Sequence, residues 1–136
     1  MMSTERKACP FCELESQRVV DSNEHCFALR DLYPVAELHT LIIPKRHVSD
    51  YFGLSGEELE GIHSMILSQR GKIVEEDPTV EGFNIGMNCG EVAGQTIFHC
   101  HVHLIPRRPD DVDNPRGGVR HLIPGMGDYS PPVEDE

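Results

Sequence analysis

Short apolar runs separated by turn residues dominate the first third of the chain. Val19–Asp31 mixes apolar and polar positions around Asn23 and Glu24, which predicts a hairpin with Cys26–Leu29 as its second strand. Leu41-Ile42-Ile43 predicts a short buried strand that stops at Pro44. Ser55 and Glu58 have capping-box spacing, so a helix begins there. Leu59, Ile62, Ile66 and Ile73 recur at helical intervals to about Glu76, and Pro78 ends the helix. His63, next to Ile62, is expected on the apolar side as a partly buried packing residue. Gly82–Met87 predicts another strand, and the glycines in Asn88–Gly94 predict a loop. Ile97–Ile105 then alternates cleanly, closed by Pro106 and two arginines. This order predicts an α+β fold, with a mostly antiparallel sheet and one main helix. Residues 1–108 form the expected domain. Residues 109–136, with five prolines and four glycines from Pro109 on, form an irregular tail on the surface, near the site or a neighbouring subunit.

Composition narrows the class. A chain of 136 residues with 38% hydrophobic positions can bury one core unaided. Its longest apolar run, Cys26–Leu29, is far short of a bilayer span, and MMSTERKACP has no signal-like stretch. A net charge of −11 argues against nucleic acid or an anionic membrane as partner. Five cysteines, an odd number, argue against a disulfide framework and for a reducing cytoplasm. Cys26, Cys89 and Cys100 read as small buried hydrophobes. Cys9-Pro10-Phe11-Cys12 is either a redox pair or half a metal site.

The chemistry gathers in His99-Cys100-His101-Val102-His103. On a strand the three imidazoles share one face, about 7 Å apart, while Phe98, Cys100, Val102 and Leu104 share the other. One imidazole can act as a nucleophile on phosphorus, two alternate ones can chelate a metal, or the stripe is chemically silent. The preceding segment, Asn88 to Thr96, offers glycines that let backbone approach a phosphate, with amide and hydroxyl donors beside them. It lacks a Walker-type lysine.

His99-Cys100-His101-Val102-His103-Leu104-Ile105 resembles the histidine-triad (HIT) signature H-φ-H-φ-H-φ-φ. Gly94-Gln95-Thr96 resembles the G-Q-[ST] that leads into it. Asp31-Leu32-Tyr33-Pro34 and His39-Thr40-Leu41-Ile42-Ile43-Pro44-Lys45-Arg46-His47 resemble two upstream motifs, in the right order over residues 9 to 107. Leu38 departs from the pattern, standing where the family usually has glycine. The resemblance implies a HIT-like fold, a homodimer to which the helix contributes, and hydrolysis at a nucleotide α-phosphate. His101 would attack phosphorus to form a nucleotidyl-histidine intermediate, with its other nitrogen held by a backbone carbonyl. His103 would hydrogen-bond the phosphate or the leaving group. Asn88, Thr96 and the backbone near Gln95 would hold phosphate oxygens, and Asp31 the ribose. His39 would support the nucleotide pocket, with Phe11 and Leu29 sandwiching the base. The implied substrates are dinucleoside polyphosphates such as diadenosine tetraphosphate. A nucleoside phosphoramidase and a zinc-stabilised nucleotide-binding module are the alternatives, and a hydrolase using all three histidines as metal ligands is a third.

The same resemblance implies a structural Zn²⁺ held by Cys9, Cys12, His47 and His99, as in zinc-carrying relatives. Because the chain is acidic, a polyphosphate would need local donors, Arg107 and Arg108, or a substrate-bound Mg²⁺. His25 reads as solvated, and the Arg116–His121 segment either closes over phosphates or forms a plain turn.

Overall fold

The computed structural model describes residues 9–15 and 18–129. The tail beyond 129 and the first eight residues lie outside the described residues, and so do the expectations placed on them. Five strands, β1 (Val19–Ser22), β2 (Cys26–Arg30), β3 (Thr40–Pro44), β4 (Gly82–Gly86) and β5 (Val102–Arg107), form one sheet in the order β1-β2-β3-β5-β4. Every neighbouring pair is antiparallel. One long helix, α1 (Gly56–Glu76), follows β3. Ser55 Oγ accepts from the Glu58 N–H and the Glu58 carboxylate accepts from the Ser55 N–H, which completes the expected capping box. Among the described residues, no helix is long and apolar enough to cross a membrane.

β3 is buried at every position because both faces of the sheet centre are covered. Cys26, Ala28, Ile42 and Val102 pack under Ile62 and Met65 of α1. Leu29, Leu41 and Ile43 point the other way and pack under Cys9 and Phe11 of the N-terminal segment. Leu41 pairs across the ladder with His103, so the histidine face of β5 is the face that the N-terminal segment covers. The fold therefore brings the C-P-F-C sequence to the triad.

Several expectations need correction. The alternating run from Ile97 does not form one strand, since the ladder begins only at Val102. The Cys100 N–H donates to Val48 O, while the His99 ring bonds Pro44 O and the His101 ring bonds His99 O; these contacts take the place of ladder pairing. Pro106 does not end β5 but sits inside it opposite Phe83, beyond the last β3 pair at Thr40–Leu104, where no neighbour needs its missing N–H.

The helix buries Glu58, Ile62, Met65, Gln69 and Ile73, leaving Leu59 at the surface and His63 exposed. Glu58 tolerates burial because Arg46 grips it bidentately, which holds its carboxyl down at about 2. Gln69 accepts from Arg30 and donates to Asp21. Polar residues satisfied in this way carry no apolar signal. Cys89 is half-buried rather than buried. Burial pushes the Cys26 thiol up to about 11 and the Cys100 thiol up to about 12, so both stay protonated packing groups.

Candidate functional site

Two clusters of ligand-type side chains flank His101. In the first, Cys9, Cys12, His47 and His99 place one donor atom each within 4.8 Å of one another. Cys12 Sγ lies 3.0 Å from His47 Nδ1 and 3.5 Å from His99 Nδ1. Cys9 Sγ lies 3.4 Å from His99 Nδ1, and the two Nδ1 atoms are 3.1 Å apart. A tetrahedral zinc with bonds of about 2.0–2.3 Å sets its ligand atoms about 3.3–3.8 Å apart, close to these separations. His99 is fully buried, and its Nε2–H donates to Pro44 O at 2.8 Å. That bond leaves the Nδ1 lone pair facing the two thiols, which is the outer-shell arrangement a metal-binding histidine requires.

The second cluster is Asp31, His39 and His103. Its hydrogen bonds make it a different object. The Val35 N–H donates to His39 Nδ1 at 3.1 Å, so the His39 proton sits on Nε2. That Nε2–H faces His103 Nδ1 at 3.0 Å and Asp31 Oδ2 at 3.4 Å. His103 Nδ1 must then accept, which puts its own proton on Nε2. The backbone of one loop thus sets the tautomers of two imidazoles in series. With the Nε2 lone pair of His39 unavailable, this cluster is a hydrogen-bonded chain and not a cation cage. Burial lowers the His39 pKa against the pull of Asp31. Burial, with help from His101 and His39, pushes His103 down to about 4, so both rings are neutral near pH 7.

His101 stands between the clusters. Its Nδ1–H donates to His99 O at 2.8 Å, which leaves the Nε2 lone pair free. The Phe11 ring packs edge-on against it at 5.1 Å, and the His103 ring lies 5.2 Å away. The loop before the triad is braced from inside. Gln95 is buried, its Oε1 accepts from the Gly90 N–H, and its Nε2 donates to Ser49 O and Ile97 O. Its own backbone N–H goes to Gly90 O. Gln95 therefore shapes the loop and does not face a ligand, whereas Thr96 is exposed and Asn88 is half-buried. Gly90 and Gly94 hold positive φ of 99° and 97° at the two turns of this loop, backbone that favours glycine.

Other expected residues fall elsewhere. Leu29 is fully buried and has no surface to offer a base. Arg107 is held by Asp111 through two bonds and by Asn84 through a third, and Arg108 by Asp77 and Glu37 O. Neither is a free cation. In the tail, Arg116 pairs with Asp128, Arg120 stacks on Tyr129, and His121 donates to Arg116 O. The segment is thus a turn knotted on itself rather than an anion clamp. Leu38 has φ of 69°, the conformation that glycine adopts most easily, and places its side chain against the cluster of Ile73, Val80 and Leu104.

Sequence reasoning missed a cavity of about 710 Å³ between β4, β5 and the tail, with His39, Asn88 and His103 in its wall. No local motif marks it, because its wall comes from segments about 90 residues apart.

Known proteins place this geometry. A HIT family protein from Bacillus anthracis has a similar solved structure, with TM-score 0.66 and 40% identity over 76% of this chain and 75% of that one. A zinc-bound histidine triad family protein from Mycobacterium smegmatis has TM-score 0.68 and 31% identity, covering 77% and 78% of the two chains. An adenosine 5′-monophosphoramidase of Candida albicans is 32% identical over 76% of this chain and 72% of its own. The HIT domain model matches residues 13–110, and with the histidines arranged as described the chain belongs to the HIT family.

Proposed function

We propose that this protein is a hydrolase acting at the α-phosphate of nucleotides through a covalent nucleotidyl-histidine. One observation carries the reading: the His99 carbonyl holds the His101 Nδ1–H, so a neutral Nε2 lone pair stands ready to attack. As the P–Nε2 bond forms, the bond from phosphorus to the leaving group breaks and its electron pair departs with that group. His103, with its hydrogen on Nε2, donates a hydrogen bond to the leaving atom, which takes its proton from solvent as it departs. Water then attacks phosphorus, releases the nucleoside monophosphate, and returns a proton to solvent. Asn88 and Thr96 are the side-chain donors for the phosphate oxygens, and Asp31 is the acceptor for the ribose.

The substrate is a dinucleoside polyphosphate or a nucleoside phosphoramidate. The engagement of Arg107 and Arg108 by carboxylates favours the second, as does the activity named for the Candida relative. Cys9, Cys12, His47 and His99 would hold a structural zinc, which would tie the N-terminal segment to the nucleophile's strand. Its role there would be structural, and the His99 carbonyl that orients His101 would be steadied by it.

Chromatography of products from diadenosine tetraphosphate and adenosine phosphoramidate tests this. Wild type releases AMP, and His101→Gly does not. Equal release by both proteins would remove His101 from the mechanism, and no release by wild type would leave nucleotide binding alone.

A further inference from the structure

Cys9-Pro10-Phe11-Cys12 has the spacing of a redox pair as well as of half a metal site, and the fold makes the two roles compatible. The Cys12 N–H donates to Cys9 O at 3.2 Å, a turn that brings the two backbones close enough for a disulfide. Both cysteines are reduced in this structure, and their sulfurs lie within 4.8 Å of each other. Both sulfurs approach the same atom, His99 Nδ1, at 3.4 and 3.5 Å. Cys9 is buried and Cys12 half-buried, so a small oxidant arriving from solvent meets Cys12 first. Cys26 and Cys100 differ: both are packed in the core and held protonated, which makes them poor nucleophiles.

The pair is wired to the nucleophile by two short routes. His99 offers its ring to the two sulfurs and its carbonyl to the His101 Nδ1–H, so one residue connects them. Phe11, which lies between the cysteines in the chain, is buried edge-on against His99 at 6.0 Å and against His101 at 5.1 Å. A disulfide needs its sulfurs about 2 Å apart, so closing the pair tightens the Cys9–Cys12 turn and moves Phe11 with it. An oxidised pair also has no thiolate to offer a cation, and His47 and His99 alone do not fill a tetrahedral site.

We propose that Cys9 and Cys12 form a reversible disulfide under peroxide, and that this oxidation slows the reaction at His101 by freeing the N-terminal segment from His99. The Cys12 sulfur attacks one oxygen of the peroxide, the O–O bond breaks, and the other oxygen leaves as water or an alcohol with a proton from solvent. The Cys9 sulfur then attacks the sulfenic sulfur of Cys12, and the hydroxyl departs as water with a second proton. The two sulfurs lose two electrons and the peroxide gains them. A dithiol reductant reverses the change and regenerates both thiols. The proposal rests on the zinc and nucleotidyl-histidine readings above, since the reduced pair is the form that would hold the ion.

The test titrates zinc-loaded protein with hydrogen peroxide and follows three quantities together. These are zinc released to a chromogenic chelator, the mass of the tryptic peptide 8–18 that holds both cysteines, and AMP release from adenosine phosphoramidate. The peptide should lose two hydrogens as zinc appears in solution. AMP release should fall in step by about tenfold or more, and should return with dithiothreitol and zinc. Cys89→Ser, which alters a half-buried thiol outside the pair, should respond in the same way. Peroxide that oxidises Cys89 while the peptide stays reduced and zinc stays bound overturns the proposal, and so does sulfinic acid in place of a disulfide. A disulfide formed at unchanged AMP release overturns it too, as does a loss of activity that Cys89→Ser abolishes. Wild type that holds under half an equivalent of zinc before treatment sinks the zinc reading and this one with it, whereas zinc retained through oxidation sinks the switch alone. If untreated wild type releases no AMP, the nucleotidyl-histidine reading fails and the switch has nothing to act on, even where the pair oxidises.

Discussion

The two histidine clusters beside His101 contain similar atoms and do different things. Each gathers imidazole nitrogens with acidic or sulfur ligands inside 4.8 Å. At His99 the backbone carbonyl of Pro44 takes Nε2, so a lone pair faces the neighbouring ligands. At His39 the backbone amide of Val35 takes Nδ1, so a hydrogen faces them. A carbonyl contact leaves a lone pair for a metal ion, and an amide contact leaves a hydrogen for a neighbouring acceptor. Side-chain identity alone does not distinguish them; the backbone group on the far nitrogen does.

His101, which draws its orientation from the first cluster and its neighbour from the second, gives the largest effect. His101→Gly should lower AMP release by about 10³-fold or more in single-turnover assays, since the proposed reaction has no other nucleophile. The cage comes next. Cys9→Ser or Cys12→Ser should take metal content by elemental analysis from one zinc per chain to none. The melting midpoint should fall by roughly 10 °C, because metal binding to a folded site adds to folding stability. Wild-type protein purified without chelator and holding under half an equivalent of zinc would break the comparison at this end.

The chain is tested at His39. His39→Asn loses the donor to His103 and should lower kcat by about 10²-fold. His39→Gln reaches the Nε2 position with an N–H and should recover part of that loss. Equal rates in the two variants would mean that the bond to His103 does not matter.

Acid offers a smaller, continuous probe. His103 is neutral in the folded state down to about pH 4 and titrates near 6.5 when unfolded. Between those values the unfolded chain binds the extra proton, so stability rises with pH, by at most about 1.4 kcal/mol per unit from this group. That contribution is fully present above about pH 6.5 and is lost on acidification to about pH 4. Urea titrations of wild type and His103→Asn across this range should show a shallower slope in the variant. The smallest effect is expected at Leu38→Gly, where relief of a left-handed φ offsets lost packing, and a net change within about 1 kcal/mol should appear in the urea midpoint.

Much of this was legible in the residues. The hairpin, the β3 run, the Ser55–Glu58 cap and the helix end before Pro78 came from local pattern and were found within a residue or two. The strand from Ile97 was misread because alternation does not report where ladder bonds stop, and here side-chain and loop bonds replaced them. The buried face of α1 was misread because Glu58 and Gln69 are buried through partners distant in sequence. Leu29, expected at a base, is core because the N-terminal segment closes over it.

The amino-acid sequence by itself determined the period of each element, the capped helix, the acidic charge and the spacing that marks the family, since each depends on neighbours along the chain. Only the tertiary structure decided which ring nitrogen each histidine offers, that Arg107 and Arg108 are already paired, and that the tail and β5 together enclose a cavity. The reason is geometric. A hydrogen bond or a wall forms between groups that folding brings together from positions as far apart as Cys9 and His99, and no local pattern contains that distance.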